Sequence, residues 1–264
     1  MNIFLREVKS NVRSLLIWGV IVSVFVLIGF SKFSAYADNP ELLAVLDNMP
    51  PALLTAFNFT AFNLTTVEGF FGVMFAYFGL MLSIAAAMWG SDIISKEERD
   101  RTVEFALTLP VTRSRVVTAK TLAALVNCIG LLLITWAITA VAVAPYQPDS
   151  DFYRFLALGM VALFIMELIF LAVGVFLGCA MRHYKRAGSV AVAVLLGTYF
   201  LSVISGLNED LDFLKWVTPF KYFDPGRLMR ESRFDPAFLG VSAGIIIACL
   251  VAAYLSYQRR DLYI

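Results

Sequence analysis

The sequence predicts an all-α integral membrane protein with six transmembrane helices. Three observations carry this prediction. Charged residues make up only 16% of the 264 residues, against about 25% in ordinary soluble domains. Ala, Val, Ile, Leu, Met, Phe, Trp, Cys and Gly together make about 62%, against roughly 45–50%, and mean hydropathy is +0.79. Third, six stretches are apolar for about 20 residues or more, the length that crosses a 30 Å hydrocarbon core at 1.5 Å per residue. They are 14–33, 69–93, 120–144, 152–181, 188–206 and 237–257. A small chain cannot bury this much apolar surface in one core, so the excess faces lipid. A soluble enzyme, a disordered tail and a nucleic-acid binder are excluded, and the net charge of +1 shows no bulk basic character. Cys128, Cys179 and Cys249 all lie in apolar runs and imply no disulfide framework. The single histidine, His183, leaves no room for a histidine metal cluster or a Ser-His-Asp triad.

The first element is Met1–Arg13. Phe4, Val8 and Val12 recur at i, i+4 and i+8, with Arg6, Lys9 and Arg13 elsewhere. That spacing predicts a short amphipathic helix lying in the membrane interface. An ordinary positive flank before the first span accounts for the same charges. The apolar run that follows is long and lacks a small-residue cleavage site, so the stretch is not read as a cleavable signal peptide.

After the first span, Asp38–Asp47 carries Pro40 near the start of a leucine-rich run and predicts a short helix. Met49-Pro50-Pro51 breaks it, and a second apolar helix follows. Both are expected on the outer membrane surface or against the bundle. Asn58-Phe-Thr60 and Asn63-Leu-Thr65 match the glycosylation acceptor pattern, but such triplets are common by chance and are read as unused.

The second span, 69–93, carries Ala85-Ala86-Ala87 and Gly90, a small-residue surface. The 94–119 loop follows. Its first half is polar; then come Val103, Phe105, Ala106, Leu107 and Leu109, then Pro110. Proline pushes the residue before it out of helical geometry, so a helix ends here. Thr112 is a fitting N-cap for the next helix, which carries Arg113, Arg115 and Lys120 into the third span. The result is a helix–break–helix presenting acids and then an apolar face with nothing of its own to pack on, the mark of a partner site. A solvated charged loop explains the charges but neither the apolar run nor the break.

The fourth span, 152–181, holds Glu167, the one charge in the middle of a span. Carboxylates are costly there, so such a residue is a functional candidate. Its helix face continues through Leu171, Gly174 and Gly178, where small residues let another helix approach. Three roles are open to Glu167: binding a proton or cation, contacting a cationic substrate, or a structural hydrogen bond between helices. The fifth span, 188–206, is short and interrupted by Gly197. The 207–236 segment then mixes aspartates and basic residues with Trp216, Phe220, Tyr222 and Phe223, a pattern suited to a headgroup-level belt or to a substrate gate. In the last span, Gly240 and Gly244 form a second close-packing pair, for a contact within the bundle or between subunits.

Sidedness follows from Lys and Arg. The N-terminus, the 94–119 loop with Lys120, the 182–187 loop and the C-terminus hold 14 of them, and the other side holds 7. Both termini are therefore expected in the cytoplasm.

The 94–120 stretch resembles the first cytoplasmic loop of ABC-2 type ABC-transporter permeases. In that family an acidic residue after the second span precedes a helix start, a Leu-rich run, a Leu-Pro pair, a Ser/Thr-Arg pair and a Lys that opens the third span. Glu97, Glu98, Thr102, Glu104, Leu107, Leu109, Pro110, Arg113 and Lys120 match this pattern, and Arg101 stands where the family usually has Gly. The resemblance extends to six spans, a long first outer loop, the Thr218–Pro225 segment and an Arg-Arg-Asp ending. It implies a type V exporter-like fold in the plasma membrane. It also implies a homo- or heterodimer with a second copy or a related permease, docked to a cytoplasmic ABC ATPase subunit that alone binds ATP and Mg. The ATPase-coupling residues would be Glu97, Glu98, Thr102, Glu104, Phe105, Leu107, Leu109, Pro110 and Arg113, with Arg182–Ala187 as a minor contact or a positive anchor.

The chain itself has no G-x-x-x-x-G-K-[ST] loop to cradle phosphates and no segment long enough for an ATPase domain. Energy would come from another chain or from an ion gradient. A gradient-driven transporter using Glu167 is the rival reading, though such proteins carry several ionisable groups in the membrane and often two matched halves. An intramembrane enzyme is disfavoured by the single histidine and the lack of an embedded dyad.

Overall fold

The computed structural model describes residues 3–35, 37, 48–50, 54, 62–99, 111–181, 183–207 and 209–259. The outer helices expected over 38–47 and after Pro51, and the Asn58 triplet, lie outside them.

Six helices are long and apolar enough to cross a membrane. They are α1 (Ile3–Phe33), α2 (Val67–Arg99), α3 (Arg113–Val143), α4 (Ser150–Ala180), α5 (Tyr184–Leu207) and α7 (Pro236–Arg259). A short α6 (Pro225–Glu231) lies between the last two. Among the described residues there is no strand. An even number of spans puts the start of α1 and the end of α7 at one end of the bundle, the terminal end. The other is the distal end.

Local chemistry sets the helix ends. Thr112, in extended geometry, accepts the Arg115 N–H at 3.3 Å and starts α3, as the sequence predicts. Beyond α3, Ala144–Tyr146 tighten into a 3-10 turn, and Gln147 adopts a left-handed conformation with φ 48°. Asp149 then accepts the Phe152 N–H at 2.9 Å and caps α4. Asp224 caps α6 in the same way, through the Arg227 N–H at 2.8 Å.

At 31 to 33 residues, α1 and α2 reach roughly 46–50 Å and overrun the hydrocarbon on at least one side. Two expectations change as a result. The amphipathic stretch at the N-terminus is helical but is not a separate interfacial helix. It runs without a break into the first span, and Phe4 and Val8 pack on the main core. The loop is also shorter than 94–119, because α2 holds residues 94–99 and α3 holds 113–119.

The bundle has a central pair. In their most apolar windows α2 is 67% and α4 61% buried, against 22% for α1, 22% for α5 and 17% for α7. α1 packs on α3, α5 on α2 and α4, and α7 on α4. The three peripheral helices therefore spend most of their apolar surface on whatever surrounds the bundle. At the distal end, residues 209–231 fold over the central pair. Phe220 meets Phe170 of α4 at 5.5 Å and Tyr199 of α5 at 5.3 Å, and Tyr222, Phe223 and Leu228 are buried.

Small residues explain how α2 and α4 come so close. A Cβ added to Gly174 would lie 2.4 Å from the Ala87 carbonyl oxygen. One on Gly90 would lie 2.6 Å from the Leu171 oxygen, and one on Gly178 would lie 2.9 Å from the Ser91 oxygen. Backbone meets backbone here, and only glycine leaves room. Gly240 and Gly244 behave differently. Among the described residues nothing lies within 4 Å of an added Cβ at either, so this pair makes no close contact with them.

Candidate functional site

The terminal end gathers the polar groups that flank the loop. Lys96 and Glu98 stand on the last turns of α2, beyond the apolar stretch that ends near Ile94. Lys96 Nζ lies 3.1 Å from Glu7 Oε2 and donates to Ser10 Oγ at 2.6 Å. The Glu7 side chain is 1% exposed and also takes a charge-assisted bond from Arg6 Nη2 at 2.9 Å. The positive charge of Lys120 acts on it as well. Lys120 is itself buried on α3, where its ammonium donates to the Ile93 carbonyl of α2. One buried carboxylate thus ties α1 to the end of α2, and the Lys120 ammonium ties α3 to α2 through the Ile93 carbonyl. A buried charge is tolerable only when paired, so these helices cannot slide apart singly without stranding one.

The other stem of the loop is tied to α7. Arg113 Nη1 donates to the Tyr257 and Gln258 carbonyls, each at 3.2 Å. Carbonyls in the last turn of a helix lack intrahelical donors and carry its negative partial charge, so a guanidinium suits them. Gln258 Nε2 donates to Ser114 Oγ at 3.1 Å, and the Thr118 and Tyr254 hydroxyls are hydrogen-bonded at 2.8 Å. The loop therefore leaves the bundle from two stems, one bolted to the first helix and the other to the last.

Of the residues expected to couple, Thr102, Glu104, Phe105, Leu107, Leu109 and Pro110 lie outside the described residues, as does the side chain of Glu97. Glu98 is half-buried at the end of α2. Arg113 is engaged with α7 as described. Glu7 and Lys96 were missed in the sequence reading. The available signal was Glu7 itself, the one acid among the basic residues of 1–13.

A groove of about 790 Å³ opens beside this platform. Trp18 of α1, Trp89 and Asp92 of α2, and Lys185 and Ser189 of α5 line it. Trp89 Nε1 donates to Ser14 Oγ at 2.8 Å and fixes its inner wall.

Glu167 lies in the middle of α4 and is fully buried. Neither carboxyl oxygen has a hydrogen-bond partner among the described residues, and Asn127 Nδ2 on α3 has none either. Among the described residues, no interhelical hydrogen bond from Glu167 is present. Gly174 and Gly178, on the same helix, pack on α2, while Gly240 and Gly244 meet no other described residue closely. No group of three or more metal-ligating side chains occurs among the described residues.

Comparison with known proteins adds the family. The family model described as ABC-2 family transporter protein matches residues 1–262. Comparison with curated proteins finds no match. A match over nearly the whole chain, joined to six apolar helices, makes this a multi-pass membrane permease of the ABC transporter class, a class that works with an ABC ATPase. The chain belongs to the ABC-2 family of transporter proteins.

Proposed function

We propose that the chain is the membrane half of an exporter driven by ATP hydrolysed on a separate cytoplasmic subunit. That ATPase docks on residues 97–110. Both termini are cytoplasmic in this reading, and two copies, or this chain and a related permease, enclose the pathway between them. The observation that carries the proposal is the double anchoring of the loop. A push on the loop reaches α1 through Lys96 and Glu7, and α7 through Arg113. It also reaches the central pair, since α2 is the stem itself and packs along α4. A load at the docking face would therefore move helices as a set, as a two-state transporter requires when its partner binds the two states differently. The groove beside Trp18 and Trp89 is a fitting entry for cargo.

The test is to replace Glu98, Leu107 and Leu109 together. The ATPase should no longer co-purify, while the variant stays monodisperse and helical. Retained co-purification removes the docking assignment.

A second reading uses Glu167. Its buried and unpartnered oxygens suit a carboxyl that gains and loses a proton or cation during a gradient-driven cycle. Glu167→Gln with transport and expression unchanged removes that reading. An ATPase partner with a dead ATP site separates the two mechanisms: transport stops only if ATP is the source of energy.

A further inference from the structure

The distal end carries a polar basin that neither the transport reading nor the family match uses. It holds about 570 Å³, within the range of small-ligand sites, between the ends of α5 and α7 and the 209–235 segment. Eight charged side chains line it, but most neutralise one another. Lys215 pairs with Asp212. Arg227 bonds Glu231 at 3.1 Å and Asp235 at 2.9 Å, and Arg233 bonds Glu231 from outside at 3.1 Å. Asp224 accepts the Arg227 backbone N–H as the cap of α6, and among the described residues its charge meets no cation. Of the basic side chains, Lys221 and Arg230 remain. Both line the basin, and neither side chain has an ion pair or hydrogen bond among the described residues.

One wall of the basin is held by aromatic contacts and a hydrogen bond. Tyr222 donates its hydroxyl proton to the Trp216 carbonyl at 2.6 Å and stacks on Phe238 at 5.2 Å, while Trp216 meets Phe238 at 5.1 Å. Immediately beside it lies an exposed apolar surface. Leu207, Phe213, Trp216 and Val217 are 48–63% exposed. Four large apolar side chains at the end of a membrane helix would be costly in water, and they suit the acyl boundary. Seating them there brings the mouth of the basin to the level of the phosphates.

We propose that this basin binds the phosphate of a phospholipid in the distal leaflet, with Lys221 and Arg230 on the phosphate oxygens and Trp216 and Phe213 along the glycerol and upper acyl chains. A charged lysine and a forked guanidinium are the donors that phosphate oxygens take up. The acids around them limit the site to one phosphate rather than a broad anionic surface.

The test uses the full chain purified in mild detergent, with binding read by native mass spectrometry. The probes are dioctanoyl phosphatidylglycerol, dioctanoylglycerol, which keeps the tails without the phosphate, and inorganic phosphate. The phospholipid should bind best. Lys221→Gln and Arg230→Gln should each weaken it roughly fivefold, since a cation near a lipid phosphate contributes about that factor. Lys221→Arg should retain binding, and Lys32→Gln at the same end should leave it unchanged. The two single variants are read separately, and neither removes a contact within the fold, so unfolding of one leaves the other decisive. Equal binding by both variants and the parent, or equal binding of dioctanoylglycerol, overturns the proposal. Displacement of the lipid by inorganic phosphate at matching affinity also overturns it, in favour of a soluble oxyanion.

Discussion

Gly174→Ala is a sharp test of how the bundle is held together. The added methyl would sit 2.4 Å from the Ala87 carbonyl oxygen and 3.1 Å from the Ser91 nitrogen, where ordinary contact begins at 3.4 Å. Both opposing atoms are backbone, so no side chain can swing away. α2 and α4 must part by about 1 Å locally, and a gap of that size forfeits a quarter to a half of each dispersion contact it opens. Overpacking of this kind costs about 1–3 kcal/mol, and the rigid surroundings place this case near the top of that range. Alanine returns about 1 kcal/mol through its better helix propensity, which leaves a net loss of about 2 kcal/mol. Gly240→Ala is the matched control. Among the described residues it meets nothing within 4 Å, so it should keep the propensity gain and be equal to the parent or slightly more stable. Apparent melting temperature at one scan rate, followed through tryptophan fluorescence in detergent, reads both. Gly174→Ala should melt several degrees lower, and adding Gly90→Ala should cost less than its single effect, because the helices have already parted. Equal melting of Gly174→Ala and the parent, or equal losses at both positions, would refute the argument.

Three further outcomes are expected. Glu7→Gln leaves the Lys96 ammonium without its carboxylate. It should cost about 3 kcal/mol, the low end for a broken buried pair because Lys96 is 23% exposed; adding Lys96→Met should recover part of the loss in thermal unfolding. Arg113→Gln removes the donor to the Tyr257 and Gln258 carbonyls, so amide exchange over the last turn of α7 should quicken by about fivefold, with earlier turns unchanged. At the distal end, the Ala237 N–H and then Arg227 hold the Asp235 carboxyl below its usual 3.8, and Arg233 and then Arg227 hold Glu231 below its usual 4.5. Lowered carboxyls contribute stability above their unfolded values and lose it as pH falls through the folded ones. Exchange over 225–236 should therefore rise below about pH 4, and Arg227→Gln should flatten that dependence; a profile unchanged by the variant counts against the ion-pair geometry.

The membrane class and the helix count were legible in the chain because lipid imposes a length and a composition that any window of sequence reveals. Thr112 was legible too, since an N-cap is a local hydrogen bond. The two glycine pairs were not distinguishable by spacing. Gly174-x-x-x-Gly178 and Gly240-x-x-x-Gly244 read alike, yet one meets a neighbouring backbone and the other meets no other described residue closely. Glu7 was hidden for a related reason. Its partner Lys96 is distant in the chain, and only the docking of α1 on α2 brings them together.

The sequence by itself therefore determined that the protein lives in a bilayer as six helices, with a loop between the second and the third. Periodicity and hydropathy are local quantities, and they suffice for that. The tertiary structure decided which helices are central, which glycines allow close approach, and what the two stems of that loop are fastened to. Those are matters of long-range packing and charge pairing, in which residues far apart in sequence meet because an unpaired buried charge or an unfilled gap costs more than bringing them together.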